Sequence, residues 1–424
     1  MRAARTTLAT ALALAIASFP ASPAHARTLE TTARSARSGA TQRWTPPVEL
    51  TSRTEILGSS LAIDGRGVAV AVWATPEGVS ARRRTPGAGW LAPERLDAGY
   101  APRVASNARG DLVAAWVRSV PGQEEVSVLR ASRRPAGGDW TRPVTLGRGT
   151  TAFNTDVPVV AIGPGGSASV AISIGRHPHP WLPTIFTFAR GRWSGPVRMS
   201  SHRGWALDLA AGPDGVRVAG WHTDNGWCTV HSRHAGWTRP VFLATDSARL
   251  AVDGEGRSYA VTDDGVWSTV SGRRWVREPV PVTDAGLGHG QYDVDFDIAA
   301  RGPGRVAVAW EPGRYVGHDV QRCVMFGTVR RPDGTWTRLT RLSTRPGASV
   351  GLTATGTAYI AWPGPGGRGV KVSHRVMGRK WTTPATIGGN HVLDAHLVVN
   401  GGGDLTLMYE RGAYPRSVLW TRSR

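Results

Sequence analysis

The chain reads as an all-β protein folded into an eight-bladed β-propeller. Three observations predict this: a tryptophan-led motif recurs eight times in phase, a glycine-rich turn falls between successive copies, and helical periodicity is absent.

The motif is Trp, then usually Pro three residues later, then an aliphatic residue six later. It appears first as Trp44-Thr45-Pro46-Pro47-Val48-Glu49-Leu50 and recurs from Trp90, Trp140, Trp193, Trp237, Trp275, Trp336 and Trp381. Spacings run from 38 residues (Trp237 to Trp275) to 61 (Trp275 to Trp336). Two copies drift, Trp275 with its proline one place late at Pro279 and Trp336 with Leu339 in its place. Proline lacks an N–H, so a strand that carries it belongs at a sheet edge. In a propeller blade the free edge is the outermost strand, which is where this motif is expected.

Between tryptophan anchors a short alternating run meets a turn, and a β-branched run often ending in Trp follows. The turns are 64–67, 107–110, 163–166, 212–215, 253–256, 301–304 and 400–403, with a shortened copy around Thr355-Gly356. Gly and Asn there supply the positive φ of a tight hairpin. The second strand ends at Trp73, Trp116, Trp221, Trp310, Trp362 and Tyr409, and a third strand runs into the next anchor. Each unit is thus four short antiparallel strands, the composition of a propeller blade.

The eighth unit, ending in 417–424, has no tryptophan strand after it, while the copy at 44–50 has no unit before it. The N-terminal strand is therefore expected to complete the last blade and close the ring, removing the open edges. Seven blades with one irregular unit is the alternative.

Arg2 and Arg5 precede an apolar run over 8–19, and Ala24-His25-Ala26 matches a signal-peptidase site. Residues 1–26 are expected to be a signal peptide, 27–43 a flexible leader, and 44–424 the propeller. Export without a membrane span or lipid anchor follows, since no later stretch reaches the ~20 apolar residues a spanning helix needs. Cys228 and Cys323 sit at matching third-strand positions two units apart, too far for a disulfide, so free thiols are expected. The net charge is +20, and lysine occurs only as Lys371 and Lys380, so arginine carries nearly all of the positive charge. With heavy Ala, Gly and Pro use, this fits the coding bias of a G+C-rich bacterial genome.

Arg331-Pro332-Asp333-Gly334-Thr335-Trp336 resembles the Asp box of the sialidase-like propellers, a Ser-x-Asp-x-Gly-x-Thr-Trp hairpin joining third and fourth strands. The other copies, such as Gly138-Asp139-Trp140, are eroded. The resemblance implies the propeller architecture. Sialidases of that type use an arginine cluster, a Tyr–Glu nucleophile pair and an Asp acid/base. Glu311 with Tyr315, and Glu410 with Tyr409, are the places where such a pair would fall, but the family's early Phe-Arg-Ile-Pro motif is absent.

Aligned on their turns, the innermost strands give one polar column: Ser60, Arg103, Val159, Asp208, Arg249, Asp297, Ser349 and His396. Beside it runs an aliphatic column from Leu61 to Leu397. Buried unpaired charges cost several kcal/mol, so the column is read either as paired groups lining a wet channel or as a ligand site built on Arg103 and Arg249. Asp295 and Asp297, in an alternating acidic run, are further channel candidates for cation binding or acid–base work. His177, His179 and His222 have no diagnostic metal spacing, and neither metal nor cofactor is expected.

The hairpins before the anchors carry a second basic set, including Arg83, Arg134, Arg192, Arg274, Arg331 and Arg379. All should fall on one face and form a cationic ring that attracts polyanions. The leading expectation is a secreted, non-catalytic, monomeric binder of anionic wall polymers or acidic glycans, with no specific nucleic-acid partner. A sialidase-like glycoside hydrolase, and a protein-interaction scaffold presenting loop tryptophans Trp181, Trp205 and Trp227, are the alternatives.

Overall fold

The structure, a computed structural model, describes residues 43–424 except 151–156, 176–180, 233–235, 245–247, 263–264, 281–294, 312–314, 317–318, 321–323, 345–346 and 414–415. The expected signal segment, nearly all of the leader, His177, His179 and Cys323 lie outside the described residues. From Trp44 to Arg424 the chain forms one compact unit.

Eight antiparallel sheets follow one another in chain order. Their inner strands are Ser59–Ile63, Tyr100–Ser106, Val159–Ile162, Trp205–Ala211, Ala248–Val252, Asp295–Ala300, Ser349–Leu352 and Val392–Val399. Seven blades then continue through three further strands in sequence order, the outermost strand of blade 1 being split into Gly89–Trp90 and Glu94–Asp97. The eighth takes its fourth strand from the N-terminus: Val48–Glu49 pairs Arg416–Ser423, with Val48 opposite Thr421 and Glu49 opposite Trp420. Eight blades and the predicted closure are what forms. In blade 6 the loop between second and third strands carries a two-stranded hairpin, Tyr315–Val316 with Asp319–Val320, which contributes to the long sixth spacing.

The proline prediction holds in detail. Pro47, Pro143, Pro240 and Pro384 each stand directly before the paired segment of an outermost strand. There the missing N–H leaves no ladder bond unmade.

The core is divided into eight layers, each between neighbouring blades, and each receives one anchor tryptophan. Trp90 packs between blades 8 and 1, Trp140 between 1 and 2, Trp193 between 2 and 3, and Trp237 between 3 and 4. Trp275, Trp336, Trp381 and Trp44 fill the next four in turn. The repeat therefore encodes an interface: each tryptophan buries its ring against the preceding blade, and no blade can complete its core alone. Gly99 shows how tightly the connections run. Its φ is +144°, and a Cβ there would lie 2.4 Å from the Val117 carbonyl oxygen and 2.6 Å from the Trp116 ring.

Hairpins joining first to second and third to fourth strands share one face, called here the hairpin face. Blade-to-blade connections and second-to-third-strand loops occupy the other, the connection face.

Candidate functional site

The polar column lies at the connection-face mouth of the central channel, and most of it holds the ring together. Inner strands of neighbouring blades are not hydrogen-bonded to each other as a ladder, so their edges carry free N–H groups that need acceptors. Ser60 Oγ accepts from Val104 N of the next blade (3.2 Å), and Ser349 Oγ from Leu397 N (3.0 Å). Asp208 accepts from its neighbour Leu209 N (2.9 Å) and across the blade boundary from Leu250 N (2.6 Å). Asp297 repeats this with Ile298 N (2.9 Å) and Val350 N (2.6 Å). One hydroxyl or carboxylate from one blade thus caps the first free amide of the next.

Arg103, Arg249 and His396 occupy the same column without capping the next blade. Arg103 donates to the Ser59 and Pro102 carbonyls, and His396 Nε2 lies 3.0 Å from Asp394. Asp394 was not singled out from the sequence. Its signal is the spacing Asp394-x-His396, which puts both side chains on one side of a strand. Arg249 is near enough to Asp208, Asp297 and Arg103 for each to feel its charge, and Arg103 likewise feels Asp394. Five of the six predicted channel residues converge here, while the side chain of Asp295 lies outside the described residues. Positive and negative groups alternate, so the mouth is a largely self-neutralised cluster. Beyond it the inner strands wall a cavity of about 360 Å³ with Leu, Ile, Val, Ala and Gly, to which Ser106 and Arg301 add polar groups.

The acids differ by environment. Burial raises the Asp297 carboxyl to about 6, its two backbone bonds and Arg249 offsetting only part of that cost, and burial likewise raises Asp208. At Asp394 burial also works upward, but His396, the Ala395 N–H and Arg103 outweigh it and hold the group at about 2. Asp297 therefore binds its proton more tightly in the folded protein than in the unfolded chain, where the ordinary value is 3.8. Its contribution favours folding at low pH and is lost as pH rises from about 4 to about 6. Asp394 has the opposite sign, its contribution being lost as pH falls from 3.8 toward 2. Asp297→Asn should cost about 1 kcal/mol at pH 4 for the weakened caps and gain on wild type as pH rises to 7. Urea midpoints of both proteins across that range check this; a pH-independent difference would refute it.

On the hairpin face the basic residues divide. Arg192, Arg274 and Arg379 are exposed at the tips of blades 3, 5 and 7, and Arg331 is half-buried. Others turn inward instead of forming an open ring. Arg82 donates to the carbonyls of Glu49 and Leu91, Arg133 lies 3.5 Å over the Phe188 ring, and Arg330 pairs with Glu278 at 3.0 Å. Arg83 and Arg134 enter the cleft between blades 1 and 2. The predicted cationic ring is thus interrupted. Strand alternation sends adjacent arginines toward opposite neighbouring blades, where aromatic rings and carboxylates meet some of them.

A larger cleft of about 830 Å³ opens on the connection face between blades 3 and 4. Trp221 and Phe242 supply apolar wall, Phe242 being 55% exposed. Arg198, His202, Asp224 and Asn225 supply charge and hydrogen-bonding groups, and Thr223 and Ser200 add hydroxyls. Beside it Arg203 pairs with Asp224 at 2.9 Å and lies over Trp205, which packs at a tilt against His222. Cys228, free and half-buried, forms part of the wall, and burial pushes its thiol up. Sequence reasoning missed this cleft because its residues come from two blades and share no column of the repeat.

Two other expectations change. Trp227, expected on an exposed loop, is 0% exposed within the strand Gly226–Ser232 and fills the layer between blades 4 and 5. Tyr409 is buried in the layer between blades 7 and 8, and its would-be partner Glu410 accepts a bond from Ser417. The side chains of Glu311 and Tyr315 lie outside the described residues. The Asp-box-like turn does join third and fourth strands, with Asp333 accepting from Thr335 N (2.9 Å) and Thr335 Oγ1 (2.7 Å). Among the described residues no cluster of three His, Cys, Asp or Glu is placed to hold a metal, and no helix is long and apolar enough to cross a membrane.

No protein-family model matches the chain, and no curated protein sequence matches it. Among solved structures it is similar to the BP39L lectin from Burkholderia pseudomallei, with 13% identity over 78% of this chain and 100% of that one, at a TM-score of 0.52. It is also similar to the polysaccharide lyase Uly1 (11% identity, 90% and 99% covered, TM-score 0.48). A third is the Penicillium chrysogenum alpha-L-arabinanase complexed with arabinobiose (12% identity, 89% and 98% covered, TM-score 0.43). At these identities the likeness is one of fold.

Proposed function

We propose that the protein is an exported, non-catalytic propeller that binds acidic glycans or anionic wall polymers. The observation that carries this is the cleft between blades 3 and 4. A sugar ring offers an apolar face and a rim of hydroxyls. The exposed Phe242 ring beside Asp224 and Asn225 answers both, while Arg198 and His202 favour a carboxylate-bearing unit. The net charge of +20 favours anionic polymers over neutral ones at low salt. The lectin that shares the ring is consistent with this reading through fold alone. Export rests on the expected signal segment over 1–26.

The sialidase-like alternative has less support. Its catalytic pair would need a Tyr and a Glu free in a pocket, and Tyr409 is spent on packing. Asp208 and Asp297 lie near Arg249, but both oxygens of each accept backbone N–H bonds. That is a structural use of the groups.

Phe242→Ala should leave stability within about 0.5 kcal/mol of wild type, because the side chain is already largely in water. It should weaken acidic-glycan binding about tenfold or more, a loss of about 1.4 kcal/mol. A glycan array followed by calorimetry on the best acidic ligand checks this, with retention on heparin falling as salt rises. Unchanged affinity in Phe242→Ala and Asn225→Ala together would remove the cleft as the site.

A further inference from the structure

We infer that the cleft between blades 1 and 2 on the hairpin face is a binding site for a sulfate or phosphate group. The cleft measures about 410 Å³ and is lined by Arg66, Arg83 and Arg134 against the single carboxylate Asp64. Asp64 is already engaged: Oδ2 accepts from Arg66 Nε and Nη2, and Oδ1 from Arg66 N and Val68 N. The guanidinium groups of Arg83 and Arg134 make no hydrogen bond or ion pair among the described residues, and the Nε of each is buried without a partner. Arg134 is 6% exposed.

The register explains how two guanidinium groups come together. Arg83 stands opposite Val70 on the third strand of blade 1, and Arg134 opposite Leu112 on the third strand of blade 2. Val70 and Leu112 belong to the same layer between these blades, so the paired arginines face each other across it. Arg134 lies near enough to feel the charge of Arg83. Gly110 at the cleft wall makes room for this cluster, since a Cβ there would lie 2.3 Å from Arg66 Nη2.

The boundary between blades 5 and 6 shows what a neutralised version looks like. Arg330 is opposite Val306, the first residue of its second strand, as Arg134 is opposite Leu112. It meets Glu278 at 3.0 Å, and the Trp336 indole donates to that same carboxylate. Glu278 stands three residues after its anchor Trp275, whereas Glu94 stands four after Trp90 and is exposed. Glu94 and Asp139 influence Arg134 only from beyond ion-pair distance. The counterion present between blades 5 and 6 is thus missing between blades 1 and 2. An unpaired pair of like charges, one buried and one half-buried, is costly, and a tetrahedral dianion whose oxygens can accept from the planar guanidinium forks is their chemical complement.

This site deepens the acidic-glycan reading by supplying a place for the charged substituent, and rests on that reading only for the polymer that carries it. The test is thermal unfolding of the mature protein in sodium sulfate and sodium phosphate, with sodium chloride at matched ionic strength. Sulfate stabilises most proteins by exclusion from their surface, so the informative quantity is the excess over variants. Wild type should show a saturable rise that Arg83→Gln and Arg134→Gln lose, their apparent affinity falling about tenfold or more. Arg330→Gln should keep the response. Arg134→Gln should also unfold at least as high as wild type without sulfate, because an uncompensated charge is gone. Equal responses in wild type and both cleft variants, or none in any, would overturn the site.

Heparin and dextran sulfate, set against neutral dextran, distinguish the source. Polymer retention that falls with Arg134→Gln assigns the group to a polymer ester; retention unchanged while the inorganic response is lost assigns a free oxyanion. Phe242→Ala leaves this cleft intact. Loss of glycan affinity there with the sulfate response retained separates the two sites.

Discussion

A chain beginning at Thr51 should unfold at a much lower urea concentration than one beginning at Arg43, with a loss of about 5 kcal/mol or more. The segment between them contributes the outer strand of blade 8. Thr45 N donates to the Ser423 carbonyl (2.9 Å) and Leu50 N to the Leu419 carbonyl (2.8 Å), while Ser423 N donates back to Thr45 Oγ1 (3.0 Å). Such bonds contribute about 1 kcal/mol each. Leu50 is 6% exposed in the layer between blades 8 and 1, and losing a side chain of that size from a core costs about 2–5 kcal/mol. Trp44 packs into the layer between blades 7 and 8, so one deletion opens two layers. It also exposes the edge of Arg416–Ser423, so aggregation on heating should increase. Equal midpoints for the two chains would mean that closure does not stabilise the ring.

Asp253→Ala should be nearly as damaging, at about 3–5 kcal/mol. The carboxylate is 1% exposed and accepts four bonds. Oδ1 takes the N–H groups of Glu255 and Arg257 (2.9 Å each), fixing the first hairpin of blade 5. Oδ2 takes the Tyr259 hydroxyl (3.2 Å) and, from blade 6, Gly304 N (3.1 Å). Alanine strands the Tyr259 hydroxyl inside a fully buried residue and cuts a tie between blades. Asp253→Asn keeps one carbonyl acceptor and should cost about half as much. Urea unfolding of the three proteins checks the order; a loss below about 1 kcal/mol for Asp253→Ala would show that water replaces the carboxylate. Asn107 and Asn400 make the same kind of tie, to the Gly163 and Gly65 carbonyls of the next blade.

The polar column illustrates where reading residues in order stops. Alternation put Ser60, Arg103, Val159, Asp208, Arg249, Asp297, Ser349 and His396 in one column of the inner strands. It could not say that Asp208 and Asp297 would be consumed by amides of the following blade. Those partners lie 42 and 53 residues away. Trp227 failed for a related reason: a tryptophan next to a glycine turn looks like loop, yet blade 5 arrives to cover it.

What the linear order of residues determined is the blade itself and the strand that closes the ring, while eight blades rather than seven was decided by the structure. These depend on period-2 alternation, turn glycines, edge prolines and a tryptophan at regular spacing, all of them local. Only the tertiary structure decided which charges are spent and which remain. A side chain's partner here belongs to the neighbouring blade, and whether it comes within hydrogen-bonding distance depends on a shift of one residue along an outer strand, as Glu278 and Glu94 show.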